Sequence, residues 1–184
     1  LSVTPGEHTI TGSARMLQRP IGVLVDALRQ LGAEVRYKGE EGFPPLRIVG
    51  RSNLSRGTLR VSANISSQYL SALLMIGPVM QRGLRLKLEG EIISRPYIDL
   101  TIEMMQEAGA QVNWADNNNE LRVEPRPYVP TSHMVESDWT AVSYWYELVT
   151  LMAATQPRLS FSHLQQKSMQ GDAVVRHLYD MFGV

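Results

Sequence analysis

The stretch DALRQLGAEVRY at residues 26–37 decides the fold, because it recurs as EMMQEAGAQVNW at residues 103–114. Each copy reads as the end of a helix, a glycine that stops the helix, and a strand with alternating apolar residues. A third copy starts with HLYDMFG at residues 177–183. The stop glycines of the three copies are 77 and then 74 residues apart, a period that indicates one supersecondary unit rather than a solenoid repeat.

Each repeat is predicted to follow one order of helices and strands. Its first helix opens near a proline or glycine, at Pro20, Pro96 and Gly171. A more apolar second helix is predicted over residues 66–76 and again over 139–154. The further predicted strands are 46–49, 59–62 and 84–88 in the first repeat and 121–124, 133–136 and 158–161 in the second, with a hairpin turn at 116–120. The predicted fold is therefore α+β (α/β-type), with repeated βαβαββ units whose helices pack against mixed sheets.

The composition excludes several functional classes. The chain has 184 residues, of which 43% are hydrophobic, enough to bury a core. Its 18 basic residues balance 18 acidic ones, so no overall field attracts nucleic acid or a membrane surface. The absence of cysteine excludes disulfides, thiolate metal sites and a cysteine nucleophile, and the histidines lack metal-ligand spacing. The sequence shows neither an apolar run of membrane-spanning length nor a signal peptide, so we expect a cytoplasmic protein.

Polar side chains open the apolar second helix of the first repeat, at Ser66, Ser67 and Gln68. The first backbone N–H groups of a helix lack internal partners and carry the positive end of the dipole, so they attract an anion. Two hydroxyls and an amide add donors, which predicts a phosphate site; ordinary serine capping is the alternative. The spacing of 74 aligns Ser66 with Thr140, and the second copy lacks this cluster. Because the fold does not require the cluster, a function is favoured.

More polar side chains are expected at the same rim of the sheets, where other helices start. Arg15, Ser94 and Tyr97 belong to this group. Together with the serine–glutamine cluster they suit a small polyol phosphate or carboxylate, because arginine binds such oxyanions through two parallel hydrogen bonds. Arg19 and Arg95 each precede a proline, so a structural role at the helix entry is favoured for them. Arg15 lies outside that pattern and is the better ligand candidate.

Five segments of the chain appear in the order of a known family. They are G-x-x-R-M-x-x-R-P-I-G at residues 12–22, P-P-L-x-I-x-G at 44–50, S-S-Q-x-x-S-A-L-L at 66–74, S-R-P-Y-I-D at 94–99 and S-M-Q-G-D at 168–172. Together they resemble the 5-enolpyruvylshikimate-3-phosphate synthase family. The family has two domains, each built from three βαβαββ units around a pseudo-threefold axis, and this is the unit that the repeat predicts.

The resemblance implies transfer of the enolpyruvyl group of phosphoenolpyruvate to the 5-hydroxyl of shikimate 3-phosphate, on the shikimate pathway to chorismate and the aromatic amino acids. The family's reaction is an addition and an elimination through a tetrahedral intermediate, without a metal or organic cofactor. The resemblance assigns substrate-binding roles to six residues: Ser66, Ser67 and Ser94 to the shikimate phosphate, Tyr97 to the shikimate ring, Arg15 to phosphoenolpyruvate, and Gln68 to both substrates.

The resemblance also implies how the chain is organised. Residues 1–136 would form most of the first, shikimate-phosphate-binding domain without its opening segment, and residues 137–184 the truncated start of the second domain. The family's acid–base aspartate and glutamate would follow residue 184, so no catalytic residue is assigned here and we expect the chain to be inactive alone. The full-length enzyme is expected to be a monomer.

Two other functions compete with this interpretation. The sister enolpyruvyl transferase, which acts on UDP-N-acetylglucosamine, often carries a cysteine before its first Arg-Pro, and residues 12–18 contain none. A non-catalytic binding module built on the same repeat is the other alternative. Among the remaining polar groups, Glu136 and Asp138 are interpreted as ordinary polar or hinge residues rather than paired acids. Asp172 is predicted to cap the helix that it opens.

Overall fold

A computed structural model of the protein describes residues 1–52, 54, 56–115, 119–152 and 157–183. The described chain divides into two compact units, Leu1–Pro130 and Thr131–Val184. Most of the predicted hairpin turn at 116–120 and the last residues of the helix predicted over 139–154 lie outside the described residues. The domain boundary predicted between residues 136 and 137 stays a prediction.

The helices and strands follow the repeat order over most of the first unit. The strands are β1 (Gly6–Ile10), β2 (Glu34–Tyr37), β3 (Leu46–Gly50), β4 (Thr58–Ser62), β5 (Leu84–Glu89), β6 (Val112–Trp114) and β7 (Glu120–Val123). The helices are α1 (Ala14–Leu17), α2 (Gly22–Gln30), α3 (Ser67–Ile76), α4 (Arg95–Glu107), α5 (Trp139–Leu151) and α6 (Val175–Asp180). Short 3-10 turns follow α3 at Gly77–Val79 and precede α6 at Gly171–Val174.

The first unit contains two sheets. Strands β1, β3 and β2 form an antiparallel sheet in that order, with Glu34 opposite Val49. Strands β4, β5, β7 and β6 form the second sheet, in which β4 is parallel to β5 while β5–β7 and β7–β6 are antiparallel. The second sheet is therefore mixed, as the sequence predicted.

Alternation along the strands builds one core between the sheets and the helices. In β5, Leu84, Leu86 and Leu88 are buried while the residues between them face outward. Leu73 on α3 and Ile98 on α4 are completely buried and belong to the same apolar cluster. Burying a side chain of this size contributes about 1.5–3 kcal/mol, so the packing of α3 and α4 on the sheet holds both helices in place.

The helices α2 and α4 end at the repeated glycines with the same pattern of backbone hydrogen bonds. The N–H of Gly32 donates to the carbonyl of Arg29 and the N–H of Ala33 to that of Leu28, the bond pattern of a Schellman motif. The same two bonds recur at the end of α4, from Gly109 to Gln106 and from Ala110 to Met105. Gly32, Gly109 and Gly183 have φ angles of 99°, 84° and 77°, a left-handed conformation that favours glycine.

Two predicted strands are wrong. Residues 133–136 and 158–161 belong to no strand and form no strand pairing among the described residues. Alternation alone does not make a strand, because its backbone groups need a partner strand. The backbone next to residues 133–136 bonds to a segment that is not a strand, since the N–H of Ser137 donates to the carbonyl of His163 at 3.0 Å. Strand β1 and helix α1 were not predicted, since neither carries a clear apolar period.

Candidate functional site

The topology places the starts of α3 and α4 at one edge of the four-stranded sheet. Helix α3 connects β4 to its parallel neighbour β5, and α4 connects β5 to β6, which also runs parallel to β5. A helix between two parallel strands runs back along them, so both helices start where their preceding strands end. The two crossovers step across the sheet in the same direction, which puts both helices on one face.

A direct contact joins these two helices one turn beyond their first residues. The hydroxyls of Ser71 on α3 and Thr101 on α4 are 2.7 Å apart. Ser67 precedes Ser71 by four residues, and Tyr97 precedes Thr101 by four. Residues four apart lie on the same side of a helix, so Ser67 and Tyr97 are placed on the facing sides of α3 and α4 at their starts. The structure thus brings two predicted site segments together.

The polar side chains at the start of α3 are free to bind a ligand. Ser66 is the N-cap residue, yet its hydroxyl makes no capping bond. Within the described residues, the side chains of Ser67 and Gln68 also make no hydrogen bond, and Ser66 and Gln68 are exposed while Ser67 is half-buried. The capping alternative is therefore not realised here, and the N–H groups of the first turn keep their capacity for an anion.

The start of α4 presents the same kind of surface. Ser94 is its N-cap residue and makes no side-chain capping bond, and the Tyr97 ring is 54% exposed. Arg95 between them is used by the fold: its guanidinium stacks 4.4 Å from the Trp114 ring and pairs with Asp99 at 3.5 Å. This is the structural role that the sequence favoured for Arg95, and it leaves the serine and the phenol as the ligand candidates.

Arg15 lies on the short helix α1 and is exposed. One contact ties the segment after it to α3: the Tyr69 hydroxyl donates to the carbonyl of Pro20 at 2.6 Å. This bond sets the entry of α2 beside the first turn of α3. Among the described residues the Arg15 side chain makes no ion pair or hydrogen bond, and no contact joins it to the serine–glutamine cluster. Its assignment to the site stays a prediction.

The second repeat closes its corresponding helix start with its own side chains. At the start of α5, the Asp138 carboxylate accepts the N–H of Thr140 at 2.9 Å. The Thr140 hydroxyl donates to Asp172, and the amide oxygen of Gln170 accepts the N–H of Trp139 at 2.9 Å. The cap that corresponds to Ser66 is thus Asp138, two residues before the position that the spacing of 74 selected. The predicted cap role of Asp172 is wrong, because its 3-10 turn has no side-chain cap.

Glu136 organises the second unit, although from sequence it was interpreted only as an ordinary polar or hinge residue. One carboxylate oxygen accepts the indole N–H of Trp139 at 2.9 Å and the N–H of Gln165 at 2.8 Å. The other accepts the Ser168 hydroxyl at 2.7 Å and the Gln170 amide at 3.1 Å. Burial raises the pKa of Glu136, but the hydrogen bonds from Gln165, Ser168, Trp139 and Gln170 outweigh it and hold the pKa below 4.5. The sequence pattern does not predict the bonds from Gln165, Ser168 and Gln170, because these residues lie 29 to 34 positions after Glu136.

The described residues offer neither a metal site nor a membrane-spanning helix. Within residues 1–52, 54, 56–115, 119–152 and 157–183, no group of three or more histidine, aspartate or glutamate side chains is arranged to bind a metal ion. Across the same residues, no helix has the length and apolar character needed to span a bilayer.

Comparisons with known proteins decide the family. The family model described as EPSP synthase (3-phosphoshikimate 1-carboxyvinyltransferase) matches residues 1–183. The chain belongs to the EPSP synthase family. It is 50% identical over 184 residues to a 3-phosphoshikimate 1-carboxyvinyltransferase from Bacteroides fragilis, and 37% identical over 184 residues to one from Shewanella halifaxensis. These matches do not favour the sister transferase.

The EPSP synthase fold is also seen in solved structures. A 2.37 Å structure of EPSP synthase from Acinetobacter baumannii superimposes with a TM-score of 0.64 at 22% identity, over 79% of this chain and 31% of that one. The α+β fold that the repeat predicted and the enolpyruvyl transferase fold that the resemblance implied are therefore confirmed. The chain is covered completely by the Bacteroides and Shewanella relatives but spans only 44% and 42% of their length.

Proposed function

We propose that this chain is the part of a 3-phosphoshikimate 1-carboxyvinyltransferase that binds shikimate 3-phosphate. The whole protein would transfer the enolpyruvyl group of phosphoenolpyruvate to the 5-hydroxyl of that substrate. In the addition, the 5-hydroxyl loses its proton as its oxygen bonds to C2 of phosphoenolpyruvate, and the C2–C3 double bond opens as a proton enters at C3. In the elimination, a proton leaves C3 and inorganic phosphate departs from C2, which restores the double bond. The chain's own contribution is to hold the anionic substrates in place.

One observation carries the proposal: two uncapped helix starts lie at one edge of one sheet. The unbonded N–H groups and the hydroxyls of Ser66, Ser67 and Ser94 converge there. A phosphate dianion needs several donors and no neighbouring negative charge, and helix starts with free hydroxyls supply both conditions. The acceptors for these donors would come from the ligand, because the protein does not use its own side chains for them.

The remaining site residues are assigned by chemistry and by the family motif. Gln68 both donates and accepts, so its exposed amide suits contact with both substrates. The exposed Tyr97 ring suits the flat face of the shikimate ring, with Ser94 next to it at the start of the same helix. The exposed guanidinium of Arg15 suits the carboxylate or phosphate of phosphoenolpyruvate, which it would bind with two parallel hydrogen bonds.

The wider assignments belong to the same proposal. The unit Leu1–Pro130 would form most of the shikimate-phosphate-binding domain, with the domain boundary near residue 136 and the second domain beginning after it. The protein would act as a monomer in the cytoplasm, where phosphorylated intermediates are retained because their charge keeps them out of a bilayer. No proton-transfer step is assigned to a residue of this chain.

The test is a calorimetric titration of the protein with shikimate 3-phosphate, repeated for Ser67→Ala. Hydrogen bonds to charged groups contribute roughly 1.5–3 kcal/mol, so this variant should bind about tenfold more weakly or worse. Its thermal stability should stay unchanged, because the Ser67 hydroxyl bonds to no described residue.

Ser71→Ala is the matched control on the same helix. It removes the hydroxyl contact with Thr101 one turn beyond the site, so it should lower stability by about 1 kcal/mol and leave binding unchanged. Equal losses of affinity in the two variants would refute the site assignment. Loss of binding in Ser71→Ala alone would refute it as well.

A further inference from the structure

A second concave site lies in the unit Thr131–Val184, between the start of α5 and the turn that leads into α6. Its cavity measures about 330 Å³, at the small end of the range for small-molecule sites. One wall is the buried indole of Trp139. The segment from Gln166 to Ser168 forms a second wall. Residues between Gln170 and His177 form the rest of the lining.

The lining is basic. Lys167, Arg176 and His177 all face the cavity. Among the described residues, none of these side chains forms an ion pair or a hydrogen bond. Lys167 and His177 are exposed, and Arg176 is half-buried. Basic side chains that line one cavity without an acidic partner give the cavity a local positive potential, which attracts anions.

Three carboxylates lie next to the lining residues, those of Glu136, Asp138 and Asp172, and among the described residues none of them forms an ion pair with a basic lining residue. All of the bonds recorded for Glu136 come from Trp139, Gln165, Ser168 and Gln170, and no cation is among them. Asp172 accepts the Thr140 hydroxyl, Asp138 accepts the N–H of Thr140, and none of the three carboxylates belongs to the cavity lining. The basic groups of the lining are therefore left without an ion-pair partner among the described residues.

The same bonds make the cavity wall rigid. Ser168 donates to Glu136 and accepts the N–H of Gln170 at 3.1 Å. The Gln170 side chain donates to Glu136 and to the carbonyl of Ser137, and it accepts from Trp139. Every polar group of these two side chains is hydrogen-bonded. Ser168 therefore holds the backbone next to Lys167, and Gln170 holds the start of the turn that leads to Arg176. A preformed wall lowers the entropy cost of binding.

We propose that this cavity is a second anion site, which binds a small phosphate ester or inorganic phosphate through Lys167, Arg176 and His177. Arginine supplies the two-bond geometry that a phosphate prefers, and lysine adds a point charge. The site is separate in sequence from the helix starts at Ser66 and Ser94, and it does not depend on the proposed reaction.

The experiment is a titration of the ¹⁵N-labelled protein with inorganic phosphate and then pyrophosphate, at ionic strength held constant with potassium chloride. The readout is the indole N–H resonance of Trp139, because Trp139 lines the cavity while its N–H donates to Glu136 and not to the bound anion. The indole of Trp114, which donates to Asp99 in the other unit, is the internal reference. We expect a saturable shift at Trp139, a smaller or no shift at Trp114, and tighter binding of pyrophosphate.

Charge variants decide whether the cavity binds the anion. Arg176→Gln and Lys167→Gln should each weaken the binding about tenfold, and Arg158→Gln, an exposed arginine of the same unit outside the cavity, should not change it. Lys167 is exposed, so its variant keeps the fold even if Arg176→Gln does not. Ser67→Ala should leave the Trp139 shift intact, which separates this site from the one at α3. The proposal is overturned by an unshifted Trp139 resonance, by equal losses in Arg158→Gln, or by loss of the shift in Ser67→Ala.

Discussion

Helices α3 and α5 occupy corresponding places in the two repeats, and their first turns are satisfied in different ways. At α5, the Asp138 side chain accepts a backbone N–H, and the Gln170 side chain accepts another. At α3, the N-cap Ser66 makes no side-chain capping bond, and the side chains of the two residues after it make no hydrogen bond to any described residue. The fold therefore tolerates an open helix start in one copy while it closes the other.

The difference teaches where to look for a ligand in a repeated fold. A helix start that is closed by its own acidic cap has no donors to offer, and its negative charge repels an anion. A helix start with free hydroxyls and free N–H groups leaves its hydrogen-bond donors available for the acceptors of a bound molecule. The starts of α3 and α4 are both of the second kind, and they share one edge of a sheet.

The sharpest way to break the comparison is to give α3 the cap of α5. Ser66→Asp places a carboxylate at the N-cap, where it accepts a backbone N–H and interacts favourably with the helix dipole, so stability should rise by up to about 1 kcal/mol. The same carboxylate occupies the phosphate site proposed at the start of α3. About 3 kcal/mol of charge-assisted hydrogen bonding is then lost, so affinity for shikimate 3-phosphate should fall by about a hundredfold or more. Calorimetry measures the affinity and thermal unfolding the stability.

Ser13→Asp is the matched control for the added charge. Ser13 is the N-cap of α1 and also makes no side-chain capping bond. The added carboxylate at this position should leave affinity for shikimate 3-phosphate within about twofold, because it lies outside the proposed phosphate site. A hundredfold loss in both variants would mean that general repulsion, rather than the site at α3, explains the result.

The second prediction tests what holds the closed copy together. Glu136→Gln keeps the size of the side chain but turns an acceptor toward the Gln170 amide into a donor, so the second unit should lose about 2 kcal/mol of stability. Hydrogen exchange of residues 136–172 measures this loss. Glu147→Gln on α5 is the control, because its exposed carboxylate pairs with no described residue and its variant should exchange as the parent does. Equal protection in both variants would show that Glu136 does not organise the unit.

Acid should weaken the second unit through protonation of Glu136. The pKa of Glu136 lies below its usual 4.5, because four hydrogen bonds to the charged form outweigh burial. A lowered pKa means that the stabilisation is complete above about pH 4.5 and is lost as the pH falls through the folded-state pKa. Exchange protection of the described residues in 136–172 should therefore decline as the pH falls below about 4.5, and this decline should be smaller in Glu136→Gln. A decline of the same size in both proteins would assign it to other groups.

The fold was predictable where a local rule acts alone. A glycine stop needs only a left-handed residue and two backbone bonds, so the repeat located the ends of α2 and α4 and the strands β3, β4 and β5 from sequence. The strands predicted at 133–136 and 158–161 failed because a strand also needs a partner, which no local pattern reveals.

The candidate site was predictable to a similar degree. The hydroxyl–hydroxyl–amide cluster stands out because its twin lacks it, and the helix start follows from the apolar period. The bonds that converge on Glu136 could not be predicted, since they join residue 136 to a segment around residues 165–170 through a turn with no periodic signal. The basic cavity beside α5 could not be predicted for the same reason, because it is the turn between Lys167 and Arg176 that brings these two residues to one cavity.

The smallest effect compares the caps themselves. Asp138→Ala removes the bond to the N–H of Thr140, and losing such a cap costs about 1 kcal/mol, so the second unit should unfold more readily. Ser94→Ala removes an N-cap hydroxyl that caps nothing, so the stability of the first unit should change by a few tenths of a kcal/mol at most. Hydrogen exchange at the first turns of α5 and α4 reports each effect in its own unit. If Ser94→Ala costs as much as Asp138→Ala, the hydroxyl at α4 serves the helix and not a ligand, and the distinction between open and closed helix starts fails.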